Sequence, residues 1–205
     1  MQKRLLISIV TLFVFSTATM VSAQSGTTRA QSETKPAQSG TRQAQSGTKS
    51  AHPAMLDPAK ATEKAPESFE VKFSTTRGDF IVEAKREWSP NGVDRFYNMV
   101  KIGYFNDIVI FRAIDGFMWQ FGIHGDPAVN AKWGESKIQD DPPKAGISNQ
   151  AGFLTFAKTG MPNSRSTQFF VNLGNNQALD SQGFTPFARV TKGLCLLYTS
   201  DAADE

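Results

Sequence analysis

Arg112 sits where a charge is costly. It lies inside the apolar run from Ile108 to Ile114, just before the turn dipeptide Asp115-Gly116. Apolar residues crowd in again at Phe117-Met118-Trp119, then give way to Gln120. An arginine in such company is either paired or aimed into a cleft where its charge is used. Asp107 and Asp115 are the candidates for a pair. A second stretch answers the first. Phe153 to Ala157 reads as a strand, Lys158 to Ser166 as a polar loop, and Thr167-Gln168-Phe169-Phe170-Val171-Asn172-Leu173 as another strand. The chemistry on offer is a charge-assisted hydrogen bond from a guanidinium in apolar surroundings, with amide side chains nearby.

Other chemistries are poorly supported. His124 as a catalytic base would need a nucleophile and an orienting acid; Ser164 and Ser166 have no nucleophile-elbow pattern around them, so a structural His is favoured. Asp140-Asp141 reads as a solvated turn rather than an acid–base pair or cation site, because adjacent residues rarely converge on one target and Pro142 follows. No Cys or His pair has metal-ligand spacing, so no metal is expected. The single Cys195 excludes an internal disulfide. A formal charge of +3, falling to +1 without Lys3 and Arg4, gives no support for nucleic-acid binding.

Together the motifs resemble the cyclophilin family of peptidyl-prolyl cis-trans isomerases. They are Phe-Arg-x-Ile-x-Gly-Phe-Met-x-Gln at 111–120, Gly-x-Leu-x-Phe-Ala at 152–157, Gln-Phe-Phe at 168–170, Leu179-Asp180 and Phe187-Ala188-Arg189-Val190. The resemblance covers roughly residues 68 to 193. It implies a mainly β fold, an eight-stranded antiparallel barrel with capping helices, without any cofactor. It implies that Arg112 is the catalytic Arg and that Gln120 steadies it and the substrate carbonyl. Phe117, Met118, Phe170 and Leu179 would wall the proline pocket, Ala157 and Lys158 pair with substrate backbone, Gln168 serve as a polar cleft residue, and Phe184 stand at the rim. From pattern alone Phe117, Met118 and Phe170 would be ordinary core; their ordered company with Arg112 and Gln120 argues otherwise.

The chemistry suits such a set. Amide resonance resists rotation of an X-Pro bond by a barrier of about 18–20 kcal/mol. A guanidinium that hydrogen-bonds the prolyl nitrogen as it pyramidalises weakens that resonance, without metal, nucleotide or acid–base pair. The expected partners are proline-containing polypeptides, unfolded or extended, met by a monomer. Ala178 stands where many family members carry a rim Trp, so cyclosporin binding is expected to be weak or absent. Two rival readings are a proline-peptide binding module without turnover and a secreted β-sandwich adhesion domain; the latter predicts Arg112 on the surface away from Phe117 and Phe170.

The elements that must position these residues can be read from period and turn signals. Phe69, Val71 and Phe73 alternate with polar residues over Ser68 to Thr75, a half-buried strand, and Phe80 to Ala84 is its hairpin partner. Ser89 as cap and Pro90 in the first turn open a helix whose apolar face is Val93, Phe96, Tyr97 and Val100, ended by Gly103. Asp126 to Gln150 is polar and reads as irregular.

The flanks are of another kind. Lys3-Arg4, the apolar Leu5 to Phe15 and the small residues Val21-Ser22-Ala23 predict an export signal cleaved after Ala23, hence a periplasmic or secreted protein; an uncleaved membrane anchor is the rival. From Ala23 to Ser50 a seven-residue repeat of the type Ala-Gln-Ser-Gly-Thr follows, with no apolar face to bury, so residues 24–67 are expected to be a disordered linker. The domain is expected over 68–193, without the family's second helix and last strand. From about residue 194 the run Cys195-Leu-Leu-Tyr-Thr-Ser-Asp-Ala-Ala-Asp-Glu205 looks like translated sequencing-adapter sequence and is read as a non-native tail.

Overall fold

A strand that alternates in sequence presents one face to the core, and the sheet here is built on that rule. The computed structural model describes residues 5–13 and 52–199. The repeat, the expected cleavage point at Ala23 and residues 200–205 lie outside the described residues. In chain order the elements are β1 (Leu5–Phe13), β2 (Ser68–Thr75), β3 (Gly78–Lys85), α1 (Pro90–Ile102), β4 (Ile108–Ile110), β5 (Arg112–Ile114), β6 (Met118–Phe121), α2 (Pro127–Glu135), β7 (Phe153–Phe156), β8 (Phe169–Asn172), β9 (Pro186–Lys192) and α3 (Leu194–Thr199). They form one mainly antiparallel sheet in the order β4-β1-β2-β3-β9-β7-β8-β6-β5. Its two ends are the halves of one extended run that breaks at Phe111, so the sheet curls round into a barrel-like shape.

The core follows from the alternation. Phe69, Val71 and Phe73 of β2 point inward and are fully buried, as are Phe80 and Val82 of β3. Phe96 of α1 packs against Phe69, Phe73, Phe169 and Phe187, which ties the helix across the sheet. Phe121 and Phe169 meet edge-on with ring centroids 4.4 Å apart. Offset and edge contacts of this kind add to the burial of each ring. Gly103 ends α1 in the left-handed region, at φ 79°, as its sequence position predicts.

Four expectations need correction. First, Ser89 is not the side-chain cap of α1. Asp141 is: its carboxylate accepts from the backbone N–H of Asn91 and Gly92 at 2.9 Å each and from the Ser89 hydroxyl at 2.5 Å. Second, Asp140-Asp141 is therefore no solvated turn. Asp141 is buried and accepts from Nη2 of the equally buried Arg165 at 3.0 Å, while Asp140 accepts from Nε of the same Arg at 3.1 Å. Third, the stretch after Asp126 is not wholly irregular, because α2 starts there with the Asp126 carboxylate accepting from the Ala128 N–H at 2.8 Å. Fourth, residues 52–67 are not a free linker. Ala54 and Ala65 are buried, and Trp133 Nε1 donates to the carbonyls of Ala54 and Met55. Asp94 accepts from the Ala65 N–H, and Asn98 exchanges hydrogen bonds with the Glu63 backbone. This segment is strapped along α1.

Where the sequence predicts a missing strand, β1 lies between β2 and β4. It pairs antiparallel with both, Val10 opposite Phe73 on one side and Leu6 opposite Val109 on the other. The segment read as an apolar leader is thus a strand of the sheet. No helix among the described residues is long and apolar enough to cross a membrane. After β9, the short α3 places Leu194 against the core and Leu196 beside Gly78.

Candidate active site

The cleft is the outer face of the strands whose inner face is the core. On β8, Phe169 points inward and Phe170 outward; on β6, Trp119 and Phe121 point inward, Met118 and Gln120 outward. Strand pairing sets these outward residues side by side: Arg112 opposite Gln120, and Gln120 opposite Phe170. A chain of hydrogen bonds runs along this face. Arg112 Nη1 donates to Gln120 Oε1 at 3.3 Å, and Gln120 Nε2 donates to Gln168 Oε1 at 3.0 Å. The Arg112 guanidinium is exposed and, among the described residues, has no carboxylate partner; neither Asp107 nor Asp115 pairs with it.

Arg112, Phe117, Met118, Gln120, Ala157, Lys158, Phe170, Leu179 and Phe184 line one cleft of about 170 Å³. That is every residue the sequence marked out except Gln168, which reaches the same cleft through Gln120. Met118 and Phe170 are the buried floor. Phe184 stacks edge-on to Phe170 at 6.0 Å, and Lys158 Nζ lies 5.2 Å from the Phe184 ring centre. Arg112 therefore stands with Phe117 and Phe170, which removes the adhesion-domain reading.

The match to the family model described as cyclophilin type peptidyl-prolyl cis-trans isomerase covers residues 70–203. The chain belongs to the cyclophilin family. It is similar to peptidyl-prolyl cis-trans isomerase B of Escherichia coli strain K12, with 30% identity over 131 residues, 60% of this chain and 79% of that one. It is 34% identical to peptidyl-prolyl cis-trans isomerase cypE of Dictyostelium discoideum over 136 residues, 64% of this chain and 84% of the other. A crystal structure of a cyclophilin type isomerase from Cryptosporidium parvum superposes with a TM-score of 0.54 at 25% identity, covering 63% of this chain and 82% of that chain.

Two polar networks hold this cyclophilin cleft in shape, and both escaped the sequence reading. In the first, the Asp180 carboxylate accepts from the Ser148 hydroxyl and from the Asn149 N–H and side-chain amide. Asn149 Nδ2 also donates to the Phe184 carbonyl at 2.7 Å, and its Oδ1 accepts from Thr155 Oγ1. Asn176 Nδ2 donates to the Phe117 carbonyl at 2.8 Å and to Asn172 Oδ1 at 2.7 Å. Three wall residues, Phe117, Leu179 and Phe184, are thereby tied to β7 and β8. Burial pushes the Asp180 carboxyl up, but its hydrogen bonds from Ser148 and Asn149 outweigh this and hold it below its ordinary value. The available signal was polar: Thr155 and Asn172 interrupt otherwise apolar strands and are fully buried.

The second network holds the loop after β7. Arg165 binds Asp140, Asp141, Ser89 and the Gln139 carbonyl. Asp140 and Asn163 exchange hydrogen bonds of 2.8 Å. Nearby, Gly122 has φ 108°, and a Cβ there would fall 2.2 Å from the Thr167 carbonyl oxygen, so only glycine lets β8 approach the end of β6. His124 is structural as expected: its Nδ1 accepts from the Asp126 N–H, and its ring packs on Tyr104.

Proposed function

We propose that Arg112 is the catalytic group of a prolyl isomerase acting, as a monomer, on X-Pro bonds of unfolded or extended polypeptides. The observation that carries this reading is the Arg112–Gln120–Gln168 chain beside the apolar floor of Met118 and Phe170. A proline ring seats on that floor with Phe117, Leu179 and Phe184 around it. Gln168 holds Gln120, and Gln120 holds the guanidinium and the substrate carbonyl. Ala157 and Lys158 meet the substrate backbone. As the X-Pro bond twists, the prolyl nitrogen pyramidalises and its lone pair localises. A charge-assisted hydrogen bond from Arg112 is then stronger than in the planar ground state, which lowers the barrier. The bond rotates without covalent change, and no cofactor or metal takes part.

The test of the catalytic reading is a protease-coupled isomerase assay on an Ala-Pro peptide with wild type and Arg112→Lys. Lys keeps a charge but lacks the planar fork. Turnover should fall far more than peptide affinity. Equal losses in both would mean that Arg112 only binds.

A further inference from the structure

The cleft carries two cations and no anion. Arg112 and Lys158 line it, no acidic residue does, and neither cation has a carboxylate partner among the described residues. Asp180, next to Leu179 of the wall, spends its oxygens on Ser148 and Asn149. The geometry of Lys158 is more specific than a solvated lysine. It is half-buried at the mouth of the cleft, its Nζ lies over the Phe184 ring, and a Cβ on Gly183 would be 3.5 Å from it. The aromatic face holds the ammonium by its ring quadrupole but supplies no hydrogen-bond acceptor, so the donors of the ammonium stay available at the rim.

We propose that Lys158 makes the cleft selective for X-Pro sequences with a carboxylate side chain directly beside the proline. The proposal rests on the isomerase reading of this site and adds the class of polypeptide it favours. A proline seated on Met118 and Phe170 brings its neighbours past Phe184 and so past the ammonium. An Asp or Glu there meets an unneutralised charge; a Lys or Arg meets repulsion from Lys158 and Arg112 together. At a separation of about 6 Å in a half-exposed site, one such charge pair changes binding about three- to tenfold. The effect falls with salt, because the rim is open to ions.

The experiment uses the full chain and two peptide series, capped at both ends so that no terminal charge intervenes. In one series Glu, Gln or Lys precedes proline; in the other it follows. Exchange NMR reads isomerisation, and titration reads affinity for each peptide. The expected result, in at least one series, is that Glu exceeds Lys by about three- to tenfold in affinity or kcat/KM. That ratio should shrink toward one in 0.5 M salt, as expected for a Debye length of a few ångströms, and should invert in Lys158→Glu. Because it is a ratio within one enzyme, a general loss of activity in the variant does not obscure it. Equal values for Glu and Lys in both series overturn the proposal, as does a preference untouched by salt and by Lys158→Glu. No turnover of the Gln peptides, with a charge preference still present in affinity, would sink the isomerase reading and leave the selectivity standing.

Discussion

Replacing Asp141 by Ala should be among the most damaging single changes in the domain, although the residue is remote from the chemistry. Its carboxylate accepts from Ser89 Oγ, from two N–H groups of the first turn of α1 and from Arg165 Nη2, and both charged side chains are nearly inaccessible to water, at 2% and 3% exposed. Removing one partner of a buried ion pair costs about 3–5 kcal/mol, since the other charge is left uncompensated. Loss of a helix cap adds about 1 kcal/mol. Asp140, which also binds Arg165, holds the total toward the lower end, near 4 kcal/mol in these approximate terms. For a domain of about 5–15 kcal/mol that is a large fraction. With a urea slope of about 2 kcal/mol/M the midpoint should fall by about 2 M. Asp141→Asn, which keeps a neutral acceptor for the helix but not the charge, should fall between. Equilibrium urea unfolding followed by Trp fluorescence measures this. A shift under about 0.5 kcal/mol for Asp141→Ala, the size usual for a solvated surface position, would refute the buried pair and restore the turn reading.

Three further outcomes follow from the geometry. The amides of β1 should be protected from hydrogen exchange in the full chain, and a chain starting at residue 24 should melt broadly or aggregate, because β2 and β4 lose their shared partner; unprotected β1 amides, or an unchanged melt, would place the segment outside the sheet. Asp180 has its pKa lowered on folding, so its contribution to stability is complete above the unfolded value near 4 and is lost as pH falls through the lower folded value. The expected effect is a loss of stability, with the Leu179 and Phe184 wall loosening, on acidification below that point, and it should be weaker in Asp180→Asn; an identical pH profile for the two proteins would contradict it. Cyclosporin should inhibit poorly, since Ala178 is an exposed small side chain where a rim Trp would offer a contact, and Ala178→Trp should strengthen inhibition.

Much of this architecture was legible because one rule generated both the core and the cleft. In β6 and β8 alternate residues go to opposite faces, so the sequence Gln-Phe-Phe at 168–170 already separates a core ring from a cleft ring. The helix α1 was equally plain from its apolar spacing and its terminal Gly103. What escaped were contacts made only by folding. Asp141 and Arg165 are 24 residues apart, and neither carries a local sign of the other. Asp126-Pro127 has the form of a loop signal, yet the pair is a helix cap followed by Pro in the first turn. The Pro-rich stretch before β2 looked like linker because its order comes from Trp133 and Asn98, not from its own residues. The apolar run Leu5–Phe13 has the composition of a leader and also that of a buried strand, and periodicity cannot separate the two.

A catalytic Arg112 acts on the twisting bond rather than merely holding the peptide. Two-dimensional exchange NMR of a capped Ala-Pro peptide, with wild type and Arg112→Ala at equal peptide occupancy, separates the two directly. The expected result is that bound-state exchange slows about a hundredfold, the scale for losing one preorganised electrostatic donor, while affinity changes only a few-fold. Exchange that stays fast in Arg112→Ala, or that slows only in proportion to weakened binding, would contradict it.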